Sequence, residues 1–256
     1  MKIQALSTGT VRIKTAMARG RGSALPSRLA RTLLDREFTG ELPIHAWLIE
    51  HPQGPILVDT GERSETSDTP IARFSVSREQ EIDRQLALHG VKPADLVQVV
   101  LTHLHGDHIN GLARLRGAHV LASPEALRGG ARALRRRGVT ARPLSLAERP
   151  FGAFARSAVL TADGSVVAVP VPGHARGQIA VVVVEQDRHL LIAGDSAYSQ
   201  QQLLDLHPDG VSLSARRAVE SMRTIIGHAS LHPTVFLPSH DPDSQARLVA
   251  REPLPS

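Results

Sequence analysis

The sequence contains no cysteine among its 256 residues. This absence excludes disulfide bonds, thiolate metal sites and cysteine nucleophiles. No apolar run approaches the roughly 20 residues that a membrane-spanning helix needs. The first six residues, from Met1 to Leu6, also lack the long apolar core of a secretory signal. We therefore expect a cytoplasmic protein that does not contact a membrane.

Lysine and aromatic residues are scarce as well. Three lysines stand among 30 basic residues, aromatic residues make up 3% of the chain, and the formal net charge is +5. The densest basic run has the spacing of the solvated face and end of a helix, where cations complement the helix dipole. The alternative is nucleic-acid binding, but no aromatic residue interleaves with these arginines, so we expect no nucleic-acid partner. The run comprises Arg132, Arg135, Arg136 and Arg137.

Four potential metal ligands lie within six residues, directly after a predicted strand. Apolar residues dominate positions 96–101, and the ligands that follow are His103, His105, Asp107 and His108. Imidazole suits zinc, and a neighbouring carboxylate widens the choice to harder ions. Four ligands in so short a segment indicate two metal ions rather than one. The alternative is a polar loop in which the histidines occur by chance.

Three more ligands occur downstream, each just after a short β-like run. They are His174, Asp195 and His240. Loops at the carboxyl ends of strands commonly carry function in α/β proteins. The predicted ligands of the first ion are His103, His105 and His174. Those of the second are Asp107, His108 and His240, and Asp195 is left to bridge. An open position for water between the ions is typical of a catalytic site rather than a structural one.

The domain organisation follows from the positions of these ligands. They extend from residue 103 to residue 240, so a domain boundary between them would divide one site. No Ser/Gly-rich linker or low-complexity segment interrupts the chain. We therefore predict a single domain over residues 1–256.

With these motifs the sequence resembles the metallo-β-lactamase superfamily. The HxHxDH motif is found at residues 103–108, and the downstream order His, Asp, His is the same. The similarity begins near residues 44–49, continues through residues 54–61 and ends at His240. It implies an α/β fold, the four-layer αβ/βα sandwich of the metallo-β-lactamase type, with a dinuclear site at one edge of two sheets. Several true β-lactamases of the superfamily have a cysteine ligand where Asp195 stands here.

Tyr198 narrows the resemblance to the N-acyl homoserine lactonases, which are quorum-quenching enzymes. It is the only tyrosine of the chain and lies three residues after Asp195. In those lactonases a tyrosine at the same offset contacts the lactone. The resemblance thus implies that Tyr198 donates a hydrogen bond to the carbonyl or leaving oxygen of the substrate. The alternative is a tyrosine that packs beside the site without a chemical role.

The reaction that the resemblance implies is the opening of an acyl lactone ring. A hydroxide that bridges two divalent ions, which we expect to be Zn²⁺, attacks the lactone carbonyl. Asp107 is either a metal ligand alone or also carries a proton to the leaving alkoxide. The expected partner is this small-molecule substrate, and we leave a homodimer open.

Some features depart from the lactonases and keep other functions open. After His174 the family often continues Thr-Pro-Gly-His, whereas this chain has Ala175-Arg176-Gly177-Gln178. The rival functions are a phosphotriesterase-like hydrolase, a glyoxalase-II-like thioesterase and a metal-binding protein without catalysis. The complete ligand set argues against the last of these. The low aromatic content predicts an aliphatic acyl pocket, lined by residues 24–34 and residues near 203–206.

Two further polar residues are candidates near the site. Asp59 follows a predicted buried strand, and we expect it to orient a histidine ligand from outside the metal shell, or else to be a simple turn residue. His45 is the one remaining histidine that we expect near the pocket. The segment 16–40 either covers the active site, as the corresponding loop does in similar lactonases, or forms a surface connection.

The pattern of apolar residues also predicts particular elements. Residues 2–14 and 44–60 are predicted strands, the latter a hairpin around Gln53-Gly54. Residues 78–88 are predicted to form a helix with Ser77 as its N-cap, and residues 214–226 the longest helix. A short amphipathic helix is predicted over residues 27–34.

Overall fold

A computed structural model describes residues 1–20 and 24–255 of the chain, and it contains two β-sheets. The first sheet has seven strands in the order β4-β1-β2-β3-β5-β6-β7. Its strands are β1 (Lys2–Ile13), β2 (Leu42–Glu50), β3 (Ile56–Val58), β4 (Ala72–Ser75), β5 (Gln98–Val100), β6 (Val120–Ala122) and β7 (Arg142–Pro143). Strands β2 and β3 form an antiparallel hairpin, as predicted, and β3 pairs with β5 in parallel.

The second sheet has five strands in the order β12-β11-β10-β9-β8. Its strands are β8 (Ala158–Val159), β9 (Val166–Pro170), β10 (Ile179–Val184), β11 (His189–Gly194) and β12 (Thr234–Pro238). Strands β8 to β11 are antiparallel neighbours, and β11 pairs with β12 in parallel. Strands β9, β11 and β12 therefore run in the same direction and end at the same edge of the sheet.

Eight α-helices accompany the sheets in the part of the chain that the structure describes. They are α1 (Thr15–Arg19), α2 (Leu25–Leu34), α3 (Ile82–Leu88), α4 (Gly106–Ile109), α5 (Pro124–Arg135), α6 (Gln200–Leu204), α7 (Ala215–Leu231) and α8 (Ser244–Ala250). None of the helices within these described residues is long and apolar enough to cross a membrane. The predicted amphipathic helix at residues 27–34 is confirmed as α2, although residues 21–23 of the same segment lie outside the described residues.

The two sheets pack face to face, and the alternation of side chains along each strand produces the layers. Val166 and Ala168 of β9 belong to the buried cluster between the sheets, together with Trp47 of β2. The intervening Val167 and Val169 point to the opposite face, where they pack against α7. The outer face of the first sheet is covered in the same way by α3 and α5. The result is the predicted four-layer αβ/βα sandwich.

The predicted helix over residues 78–88 is interrupted in the structure. Arg78–Gln80 form a 3₁₀ turn that Ser77 caps, and α3 begins only at Ile82. Glu81 between them has an extended backbone, and its fully buried carboxylate accepts hydrogen bonds from Ser64 and Arg114. A continuous helix would direct this carboxylate elsewhere, so the tertiary contact takes precedence over the local pattern.

Candidate metal centre

The structure brings all seven predicted ligands together at one edge of the two sheets. His103, His105, His174 and Asp195 form one group whose ligand atoms lie within 4.8 Å of one another. Asp107, His108 and His240 form a second group by the same measure. Each group combines residues that follow β5 of the first sheet with residues that follow strands of the second sheet.

Asp195 lies between the two groups. Its Oδ2 is 4.0 Å from Nε2 of His103 and 3.5 Å from Nε2 of His174, both in the first group. The same oxygen is 3.4 Å from Nε2 of His240, and Oδ1 is 3.1 Å from Nε2 of His108, both in the second group. The carboxylate thus reaches donors of both groups, which is the position that a bridging ligand requires.

Asp59 supports the ligands that follow β5. Its Oδ2 accepts hydrogen bonds from Nδ1 of His108 and from the Thr102 hydroxyl, both at 2.7 Å, and Oδ1 accepts the Thr102 backbone N–H at 2.8 Å. The Thr102 oxygen in turn lies 3.1 Å from Nδ1 of His103. Because Nδ1 of His108 donates to the carboxylate, the lone pair of its Nε2 is free for a cation. Asp59 therefore orients a histidine of the site, which is the first of the two roles predicted for it.

Asp209 has the corresponding position beside the first group, and no sequence pattern predicts it. Its Oδ2 is 2.9 Å from Nδ1 of His174 and 2.6 Å from the Ser212 hydroxyl. It lies in a loop 35 residues after its histidine, with no motif around it. His240 is oriented by a backbone group instead, since its Nδ1 donates to the Pro43 carbonyl at 2.8 Å.

The donor set fits divalent cations. Nε2 of His103, Nε2 of His108 and Oδ1 of Asp195 are buried and lack a hydrogen-bond partner among the described residues, so a cation would satisfy atoms that are otherwise costly to bury. Burial lowers the pKa of His240, but the Asp195 and Asp107 carboxylates outweigh it and raise that pKa to about 10. A bound cation would replace the proton that these carboxylates otherwise attract.

Tyr198 lies over this pair of groups. Its ring centroid is 6.0 Å from that of His174 and 5.5 Å from that of His240, so the ring contacts one ligand of each group. Burial, followed by the nearby Asp209 and Asp195 carboxylates, raises the pKa of the phenol well above its usual range. The hydroxyl therefore remains protonated and can donate a hydrogen bond.

An open cleft of about 400 Å³ begins at Tyr198. Among the described residues that line it are Arg19, Leu42, Gln202 and His207. The aliphatic lining expected near residues 203–206 is not observed there, because the leucines of that segment pack into the core beneath the second sheet. The N-terminal segment reaches the same cleft, where Gln202 Nε2 donates to the Ala18 carbonyl at 3.0 Å.

His45 lies near the second group, as predicted. It is 4% exposed and its ring packs against Trp47 with centroids 5.4 Å apart. Neither ring nitrogen has a hydrogen-bond partner among the described residues. Burial, and then the proximity of His240, lowers its pKa to about 4, so the ring is neutral at physiological pH.

Comparison with known protein families agrees with this geometry. The model of the metallo-beta-lactamase superfamily matches residues 39–240, which include every ligand of both groups. The chain belongs to the metallo-beta-lactamase superfamily. The fold of this superfamily implies that the two His/Asp groups bind divalent metal.

Two curated relatives give the family assignment more detail. A probable metallo-hydrolase of Mycobacterium tuberculosis is 33% identical over 180 residues, which cover 62% of this chain and 58% of the relative. The chain thus spans less than two thirds of that relative's length. The N-acyl homoserine lactonase AttM of Agrobacterium fabrum is 25% identical over 228 residues, covering 80% of this chain and 84% of the relative.

Solved structures agree on the fold. An N-acyl homoserine lactone hydrolase with N-hexanoyl-L-homoserine at its catalytic metal centre superposes with a TM-score of 0.77 at 17% identity, covering 96% of this chain and 95% of that one. AidC, a dizinc quorum-quenching lactonase, superposes with a TM-score of 0.66 at 15% identity, covering 95% and 88%.

Proposed function

We propose that this protein is a dinuclear metal-dependent hydrolase that opens the lactone ring of N-acyl homoserine lactones. The observation that carries the proposal is the position of Tyr198, a protonated phenol that contacts one histidine of each metal-binding group. The similarity to the lactonase AttM over 80% of the chain supports the same substrate class. Zinc, quorum quenching, a cytoplasmic location and a homodimer stay predictions.

The residues that would hold the two ions are those of the two groups. His103, His105 and His174 would bind the first ion, Asp107, His108 and His240 the second, and Asp195 both. When bound, two divalent cations polarise a carbonyl and lower the pKa of water enough to supply a nucleophile at neutral pH.

The protein's own groups would then complete the reaction. The Tyr198 hydroxyl donates a hydrogen bond to the lactone oxygen on which negative charge develops, and burial keeps it protonated for that purpose. Burial favours the neutral form of Asp107, but His108 and His240 outweigh it and lower the pKa of this carboxyl to about 2. As a ligand of a bound cation Asp107 would likewise be ionised, and its carboxylate, 19% exposed, would accept a proton from the attacking water and deliver it to the leaving ring oxygen.

Turnover of purified, metal-replete protein tests the proposal. N-hexanoyl homoserine lactone should be hydrolysed with release of one proton, because a neutral ring becomes a carboxylate, and a pH indicator measures that release. A thioester and a phosphotriester are assayed in parallel for the two rival hydrolases. Efficient phosphotriester or thioester hydrolysis with no lactone turnover would contradict the proposal.

Replacement of Tyr198 tests the assigned role directly. Tyr198→Phe should lower lactone turnover while elemental analysis finds the same metal content, because the phenol acts on substrate and is not a ligand. Loss of one preorganised oxyanion donor can cost on the order of 100-fold, and a smaller loss is expected here because the metal polarises the same oxygen. A variant that matches the parent in both kcat and KM would leave Tyr198 a packing residue only.

A further inference from the structure

A second cleft, of about 390 Å³, lies beside the loop that carries His174. None of the seven metal-binding residues is among the described residues that line it. Four arginines do line it, and a single glutamate accompanies them. The arginines are Arg128, Arg156, Arg176 and Arg217, and the acidic residue is Glu125.

The charge in this cleft is largely uncompensated. Glu125 pairs with Arg128 at 3.2 Å. In the described part of the chain, no carboxylate lies within ion-pair distance of Arg156, Arg176 or Arg217, and none of their guanidinium groups donates a hydrogen bond. All three side chains are exposed, and together they give the cleft a positive potential that favours a bound anion.

Gln178 supplies an independent sign that the cleft has a ligand. It lines the cleft and is only 1% exposed, yet neither its Oε1 nor its Nε2 has a hydrogen-bond partner among the described residues. A buried amide without a hydrogen-bond partner is unfavourable. A bound molecule with both an acceptor and a donor would satisfy it.

The loop between His174 and Gln178 connects this cleft to the metal centre. Gly177 has a φ of +64°, in the left-handed region, and a Cβ there would come within 2.6 Å of the backbone N of Ala126 at the start of α5. A Cβ at Gly173 would come within 2.3 Å of the backbone of Ala218 in α7. The loop is therefore held between the first turns of two helices, whose N-terminal dipoles add to the positive potential of the cleft.

We propose that this cleft is a binding site for a small oxyanion, a phosphate- or carboxylate-bearing molecule held by Arg156, Arg176 and Arg217 with Gln178 as the neutral contact. The volume is that of a small-molecule site. An N-acyl homoserine lactone is uncharged and would not need these guanidinium groups. The site is thus separate from the proposed lactone chemistry. Two of its contacts, Arg176 and Gln178, lie in the segment 175–178, which differs from the usual lactonase sequence.

Binding of inorganic phosphate and of succinate to the metal-replete protein tests the proposal, measured by titration calorimetry without substrate. At least one of the two anions should bind at one site per chain. Tighter binding of phosphate identifies a phosphate ester as the ligand class, and tighter binding of succinate identifies a carboxylate. Because no substrate is present, failure here is distinguishable from failure of the lactonase proposal.

A matched pair of variants on α7 locates the site. Arg217→Gln should weaken anion binding about 10-fold or more, because it removes a charge-assisted hydrogen bond to the anion. Arg216→Gln is the control, because Arg216 pairs with Glu220 at 2.7 Å and does not line the cleft. Gln178→Leu should also weaken binding while leaving the melting temperature of the anion-free protein unchanged or higher.

Two results would overturn the proposal. One is that neither anion binds. The other is equal affinity in the Arg217→Gln and Arg216→Gln variants, which would place the anion elsewhere, for example on the metal ions. Arg156→Gln provides a second test if Arg217→Gln does not fold.

Discussion

Asp59→Asn changes the two hydrogen bonds that Oδ2 accepts, from His108 and from the Thr102 hydroxyl, while it preserves the shape and the backbone of the residue. Asp59 has a φ of 60°, a left-handed conformation that asparagine adopts about as readily as aspartate. An asparagine could still accept the Thr102 backbone N–H through its oxygen. Its amide nitrogen, however, would face Nδ1 of His108, where the carboxylate now accepts a hydrogen bond at 2.7 Å.

The magnitude of the effect follows from the tautomer of His108. An amide donor opposite Nδ1 favours the ring form with its proton on Nε2, the atom that faces Asp195 at 3.1 Å and would bind the cation. Loss of such a supporting interaction commonly reduces metal affinity about 10–100-fold, or about 1.4–2.7 kcal/mol. We expect this loss at the group of Asp107, His108 and His240, with a smaller effect on the first group.

Asp209→Asn is the matched variant for the other group, since Asp209 accepts from Nδ1 of His174 at 2.9 Å. Competition with a chromophoric zinc chelator resolves the two dissociation constants in each protein. Asp59→Asn should weaken one site, and Asp209→Asn should weaken the other. If both variants lose the two ions equally, or if neither loses affinity, the assignment of one supporting aspartate to each group is wrong.

Four other substitutions have expected outcomes. Asp195→Ala should weaken metal binding at both groups, because the Asp195 carboxylate contacts both of them. His240→Ala should mainly empty the group of Asp107, His108 and His240. Elemental analysis after dialysis measures the metal content of each variant. Burial, and then the neighbouring histidines, lowers the pKa of His189 and His228 from 6.5 to about 4. The stability that their neutral forms confer is therefore complete above pH 6.5 and declines as the pH falls towards 4. His228→Gln should reduce the dependence of the melting temperature on pH over that range, and an unchanged slope would contradict this. Gly173→Ala should lower the free energy of unfolding in urea by about 2 kcal/mol or more, because its Cβ would overlap the α7 backbone, and a loss below about 0.5 kcal/mol would show that the loop can move aside.

The fold and the meeting of the candidate metal ligands could be predicted because they depend on local sequence patterns. The HxHxDH motif lies directly after β5, and His174, Asp195 and His240 each follow a strand of the second sheet. Strand direction then places all of them at one edge. The hairpin at Gln53-Gly54 was predictable for the same reason, since short apolar runs and a glycine turn are contiguous in the sequence.

Other features depend on contacts between distant residues and left no local pattern. Asp209 meets His174 only after the chain has folded, and nothing near it in sequence resembles a ligand motif. The break at Glu81 arises from Arg114 and Ser64, which are remote in the chain. The short edge strand β4 was not predicted either, because its four residues alternate too briefly to give a signal.

The assembly of each metal-binding group from both sheets has a mechanical consequence. The first group joins His103 of one sheet to His174 and Asp195 of the other, and the second joins His108 to His240. A divalent cation in either group would act as a clamp across the sandwich at one end, while the buried contact between the sheets further along is largely apolar. Pulling the sheets apart would then require the release of ions before the core could open, so resistance to unfolding and readiness for catalysis would depend on the same few side chains.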